Sequence, residues 1–181
     1  MSLDRICAEE RSVNSQVLRS VIELAIEIAR EGREGRKIGT MFIVGDEKTT
    51  LDASWALILD PLKGHPQAVK DINDSNMRET VKELSQLDGA FILSNDGVVI
   101  SAARYIDANS KDINLPLGLG SRHVAAASIT KNSDAVAVVV SESSVVRIID
   151  DGEIIAEIIP ELWLIQRINS SGEKESISED K

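Results

Sequence analysis

Residues 134–140 read DAVAVVV, an apolar run from Ala135 to Val140 with no polar position between them. Side chains of a strand alternate between two faces, so such a run buries both of them. It suits a central strand covered by helices on either side. TMFIVGD at 40–46 reads as a second buried strand, closed by Gly45-Asp46. Helical patterns lie around these runs. From Val13 to Arg30, Val17, Leu18, Val21, Ile22, Leu24, Ala25, Ile28 and Ala29 recur at three-to-four spacing. Residues 75–87 set Val81, Leu84 and Leu87 on one face, and 121–131 form an alanine-rich helical run.

Hairpins complete the pattern. AFILS and VVISAARYI flank Asn95-Asp96-Gly97, and VVRIID and EIIAEII flank Asp150-Asp151-Gly152. SWALILDPLKGHPQ joins a short apolar run to a Pro/Gly-rich loop. The expectation is a single α/β domain, residues 1–168, with a central mixed β-sheet flanked by helices on both faces. A polar tail, 169–181, follows it. Aromatics are only 3% of the chain, so Ile, Val, Leu and Ala fill the core.

Charge narrows the partners. Twenty basic against 30 acidic residues give −10 at pH 7, which disfavours nonspecific binding to nucleic acid or anionic lipid. An anionic ligand therefore needs a local site. The single cysteine, Cys7, has no partner for an internal disulfide or a thiolate metal cluster. No run approaches the ~20 apolar residues of a membrane helix, and the opening MSLDRICAEE is acidic where a signal peptide is apolar. A cytoplasmic setting is expected.

LPLGLGSRHVAAASIT, 115–130, gathers glycines, a serine, an arginine and a histidine at a helix start. Gly118-Leu119-Gly120-Ser121 would present backbone N–H groups to an anion, with Arg122 as a bidentate grip and His123 as a further donor. A capped helix carrying a surface Arg-His pair fits the same residues. Neither a Walker loop nor a complete Rossmann fingerprint is present. Asp88-Gly89-Ala90 is ordinary turn chemistry unless a phosphate lies nearby; beside one, the carboxylate could hold a divalent cation or take a proton from a hydroxyl. Ser141-Glu142-Ser143 stands at the end of a strand, where ligands gather in open α/β sheets. His65 in KGHP has no metal-ligand spacing around it and reads as a loop histidine.

Together, EGREGRKIGTMFIVGD, DPLKGHP, LDGAFILSNDGVV and GLGSRHVAAASIT, in this order, resemble the diadenylate cyclase domain, and most of all its archaeal members. The resemblance spans roughly residues 15–160. It implies synthesis of cyclic di-AMP from two ATP, with loss of two pyrophosphates, across a face-to-face pair of domains and with Mn²⁺ or Mg²⁺. It implies a catalytic and metal-holding role for Asp88 and ATP binding by Gly89, Ala90, Gly120, Ser121, Arg122, His123 and Ser141, with Arg122 and His123 as the triphosphate contacts. Tyr105 and Ile106 fall in its adenine pocket. Glu142 is a second candidate metal ligand.

Two positions depart from the family's pattern. Val124 stands where many members carry a second arginine, and Ser143 where many carry a second acid. The alternative is thus a catalytically impaired module that binds ATP or a cyclic dinucleotide as a sensor.

Overall fold

The computed structural model describes residues 3–8, 11–108 and 113–165. The elements run α1 (Leu3–Ala8), α2 (Ser15–Glu31), β1 (Thr40–Val44), α3 (Glu47–Asp52), β2 (Ser54–Ala56), α4 (Ser75–Leu84), β3 (Ala90–Leu93), β4 (Val99–Ile106), α5 (Ser121–Lys131), β5 (Val136–Val140), β6 (Val146–Asp150) and β7 (Glu153–Ile158). Seven strands form one mixed sheet in the order β2-β4-β3-β1-β5-β6-β7. Only β1 and β3 pair in parallel, Met41 facing Ala90 and Val44 facing Leu93. Their connection through α3, β2 and α4 is the long crossover that parallel pairing demands. The other pairs are antiparallel.

Every residue of β1, β3 and β5 is buried, as the apolar runs Met41–Val44, Ala90–Leu93 and Val136–Val140 require, and Thr40 is buried with them. On one face Phe42, Val44, Phe91 and Val138 pack with the apolar stripe of α2, and the rings of Phe42 and Phe91 stack 5.1 Å apart. On the other, Met41, Ile43, Ala137 and Val139 pack with Ala126, Ala127 and Ile129 of α5. The small α5 side chains let that helix lie close to the strands. Each Ile or Phe so buried contributes about 1.5–3 kcal/mol relative to an exposed one.

Local chemistry fixes the element ends. The Asn14 side chain caps α2, accepting from the Gln16 and Val17 amides at 2.9 and 3.3 Å. Asn95 ties this start to the β3–β4 turn, accepting from the Asn14 amide at 2.6 Å and donating to the Ser12 carbonyl at 3.0 Å. Glu27 of α2 pairs with Arg78 and Lys82 of α4 at 2.8 and 2.9 Å, and these cations hold its carboxyl below the usual range against the opposing effect of burial. The αβ order and the two hairpins appear as expected, with three differences. Helix α4 stops at Leu84, where Ser85 donates to the Lys82 carbonyl at 2.6 Å, and leaves Leu87 42% exposed. The run ALIL reaches the sheet only at Ala56, leaving Ile58 and Leu59 about four-fifths exposed (82% and 80%). Helices α1 and α3 have no counterpart in the sequence reading, being one or two turns long with too little periodicity to register. No helix of the described residues is long and apolar enough to cross a membrane. The polar tail expected from residue 169 lies outside the described residues.

Candidate active site

Helix α5 begins without a side-chain cap. Its N-cap is Gly120, in extended conformation, so the first-turn amides face the space in front of the helix rather than a serine or aspartate oxygen. A cavity of about 330 Å³ opens there, between Gly120, Ser121 and His123 on one wall and Ser141, Glu142 and Arg147 on the other. A second cavity, about 310 Å³ and mainly apolar, lies on the far side of Arg122, against Asp88, Gly89, Arg104, Tyr105 and Ile106. Ser121 and Arg122 line both. A polar compartment and an apolar one thus share a single arginine at their boundary.

Arg122 is held between two acids, its guanidinium 3.4 Å from Asp88 Oδ1 and 3.5 Å from Glu142 Oε1. These pairs are long, and the carboxylates are largely solvated, at 81% and 72% side-chain exposure. They are loose enough to exchange partners when an anion arrives. Gly39, at the end of the basic stretch before β1, makes room for this arrangement: a Cβ there would stand 2.6 Å from Arg122 Nη1 and 3.1 Å from Glu142 Cγ. Sequence reading passes over Gly39 because its constraint comes from residues far along the chain.

Asp88 is positioned by the backbone behind it. Gly89 has φ +103°, and a Cβ would fall 2.7 Å from the Ala103 carbonyl carbon and 2.8 Å from the Arg104 nitrogen. Strand β4 presses this close because the β3–β4 register shifts beside Ala90, with Ala103 itself at φ +53°. The Gly89 amide donates to Asp88 Oδ1 at 3.0 Å, aiming the carboxylate across the mouth of the apolar cavity. Ala90 is fully buried in β3 behind it. Tyr105 is 46% exposed and stacks on Trp55 of β2, centroids 4.8 Å apart, while Ile106 is buried. Arg104 is committed to structure, donating to the Ser54 carbonyl at 2.7 Å and the Leu51 carbonyl at 3.2 Å. Val124 lines the apolar cavity as one of its hydrophobic walls.

His123 is only 5% exposed, and its Nε2 lies 3.2 Å from Arg147 Nη1. A guanidinium can only donate, so Nε2 accepts and the ring proton resides on Nδ1. Burial above all, then the charges of Arg147 and Arg122, push its pKa down to about 4, against a smaller opposing pull from Glu157. His123 is therefore neutral near pH 7. The Ser141 hydroxyl closes the β5–β6 turn, donating to the Val145 carbonyl at 3.1 Å, accepting from the Val145 amide at 3.2 Å and lying 2.8 Å from the Ser143 hydroxyl. Arg147, of β6, escapes sequence reading altogether; only its place beside β5 brings it here.

Among the described residues, no group of three or more His, Cys, Asp or Glu side chains could hold a metal ion. Asp88 and Glu142 are the carboxylates lining the two cavities, hard oxygen donors of the kind taken by a Mg²⁺-like ion that keeps waters and completes its shell from phosphate. A larger cavity, about 670 Å³, lies at the opposite end of the sheet around Asp46, Lys131 and Asp150, and holds none of the expected site residues. His65 lines neither compartment and lies in the loop before α4.

Two solved structures share the fold. They are a hypothetical membrane-spanning protein from Bacillus cereus (TM-score 0.57, 21% identity, 77% of this chain and 62% of that one) and a double mutant of DacA from Staphylococcus aureus (TM-score 0.52, 22% identity, 82% and 90%). In sequence, the chain is 48% identical over 146 residues to a diadenylate cyclase of Methanocaldococcus jannaschii, covering 80% of this chain and 46% of that protein. It is 39% identical over 149 residues to a diadenylate cyclase of Haloferax volcanii, covering 81% and 54%. The chain spans about half the length of these curated relatives. With residues 27–154 matching the family described as DisA bacterial checkpoint controller nucleotide-binding, and both cavities built largely from that span, the chain belongs to this DAC family.

Proposed function

We propose that the protein is a diadenylate cyclase, condensing two ATP into cyclic di-AMP and two pyrophosphates. The observation that carries this reading is Arg122 at the boundary of a polar and an apolar compartment, with Asp88 facing it. One nucleotide fits such a pair of spaces, its base against Tyr105 and Ile106 and its phosphates before the uncapped α5 terminus. Gly120, Ser121 and Arg122 bind the triphosphate; Asp88 orients the 3′-hydroxyl and accepts its proton. His123, neutral and buried, serves as a wall and hydrogen-bonding partner rather than as a cation. Ser141 shapes the turn that bears Glu142.

Asp88 and Glu142 would hold a divalent ion, Mn²⁺ or Mg²⁺, whose chemistry is to neutralise charge on the phosphates. A single copy has one nucleotide site and so cannot close the ring. Two copies meeting face to face let each 3′-hydroxyl attack the α-phosphorus on the other. In each attack a new P–O bond forms, the bond to the β-phosphate oxygen breaks and pyrophosphate leaves. Two-fold symmetry then gives a symmetric product. ATP and self-association are the partners of this reading, in a cytoplasmic setting that suits the single cysteine.

The test is incubation of the protein with ATP and Mn²⁺ or Mg²⁺ over a range of protein concentrations, with products resolved by ion exchange and mass, beside Asp88→Asn. Cyclic di-AMP from the parent and none from the variant is the expected result; turnover by Asp88→Asn at the parental rate overturns the role given to Asp88. Val124, an apolar residue at the cavity wall, favours one second reading, a nucleotide-binding sensor without turnover. ATP binding with no dinucleotide at any concentration would select it.

A further inference from the structure

Resting on the nucleotide reading above, we propose that Arg147 is a second cationic ligand of the triphosphate, supplying from β6 the positive charge that α5 lacks at Val124. Arg147 lines the polar cavity opposite the start of α5, facing Gly120 and Ser121 across it. Its side chain is 14% exposed, so the guanidinium is largely withdrawn from bulk water. A cation in such a place needs acceptors. One N–H donates to His123 Nε2, and Nη2 pairs with Glu157 Oε2 at 3.0 Å. The Nε–H is buried and, among the described residues, has no acceptor.

That enclosed Nε–H is out of a cavity ligand's reach, but the two terminal nitrogens carry four N–H groups against one hydrogen bond and one ion pair, which leaves the guanidinium under-satisfied. The Glu157 carboxylate is itself 55% exposed, so it offsets the charge only in part. The cavity therefore contains a fixed, incompletely neutralised guanidinium in a chain whose net charge is −10. A multiply charged anion is the chemistry that such a group accepts most readily. Its partner across the cavity, Arg122, is bound by two loose contacts to solvated acids, so the two arginines approach a phosphate chain from opposite walls.

His123 makes the arrangement specific. Because its Nε2 accepts from Arg147, it orients the guanidinium and cannot itself act as the phosphate's cation. The charge that the Arg-His pair suggests in the sequence is carried one strand away.

The experiment measures ATP and adenosine affinities of the parent, Arg147→Met, Arg147→Lys and Glu157→Gln by calorimetry. Arg147→Met should weaken ATP about tenfold or more, as expected for a charge-assisted contact, while adenosine changes by less than about twofold. Lysine should recover part of the loss. Glu157→Gln, which removes the competing carboxylate, should tighten ATP by about two- to fivefold. Parental ATP affinity in Arg147→Met, or equal losses for ATP and adenosine, overturns the assignment. If Arg147→Met does not fold, Glu157→Gln decides alone, and its failure to tighten ATP overturns the assignment. A parent that binds no ATP overturns the nucleotide reading beneath it, a result separate from a parent that binds and a variant that binds equally.

Discussion

Acidification from about pH 7 to about pH 5 should destabilise the fold through His123. The unfolded imidazole takes up its proton near pH 6.5, whereas the folded one, buried and facing Arg147 and Arg122, stays neutral until about pH 4. The folded-state value is depressed for a base, so between these limits the unfolded chain binds more protons and stability falls as pH falls. With 6.5 and about 4 as the two values, linkage gives about 2 kcal/mol between pH 7 and pH 5. Water at the cavity mouth screens the arginine charges and lowers this to about 1–2 kcal/mol. Glu27 and Asp46, whose carboxyls lie below 4.5 and 3.8, lose their contributions further down the scale and leave this window to histidine. Urea unfolding at the two pH values measures the difference, and His123→Gln should flatten it whatever its own stability. A proton NMR titration of His65→Gln, which leaves His123 as the sole histidine, reports the same event directly. A midpoint near 6.5, or an unchanged pH slope in His123→Gln, refutes the reasoning.

Three further substitutions probe the scaffold. Gly89→Ala puts a methyl group 2.7 Å from backbone at a positive φ, and should cost about 2–4 kcal/mol in chemical denaturation. Gly39→Ala meets only movable side-chain atoms, the guanidinium of Arg122 and Cγ of Glu142, so it should cost less than about 1 kcal/mol in stability yet weaken ATP binding measurably by calorimetry. Trp55→Ala removes the ring beneath Tyr105 and should weaken adenosine and ATP alike by about 0.5–1.5 kcal/mol.

The strands are legible because burial on both faces leaves an unmistakable record: TMFIV, AFIL and VAVVV contain no solvent-facing position, and all their residues are buried. The start of α5 is legible for a different reason, since a glycine followed by Ser-Arg-His carries local chemistry in consecutive letters. What escapes is everything decided across the sheet. Arg147 has no local motif, and Gly39 shows its constraint only once Arg122 and Glu142 are drawn to it. Val140-Ser141 is reached by a rule about the carboxyl ends of parallel strands, which is not the rule that operates here. Strand β5 runs antiparallel to β1, and the site lies at the amino ends of the parallel pair β1 and β3. His123 reads in the sequence as a further donor to an anion beside Arg122; burial and its arginine neighbours hold it neutral, with Nε2 accepting from Arg147.

The placement of β1 has a kinetic consequence. Its partners lie roughly 50 and 95 residues along the chain, whereas β3 with β4 and β5 with β6 and β7 form nearly local units, so β1 with β5 is the pairing of the sheet that closes the longest loop. One local unit carries Tyr105, with Asp88 immediately before it, and the other carries Arg147, with Glu142 in its turn. Neither holds a complete compartment. The central strand is the keel on which the two halves are laid, so the nucleotide site proposed above needs both of them aligned on β1.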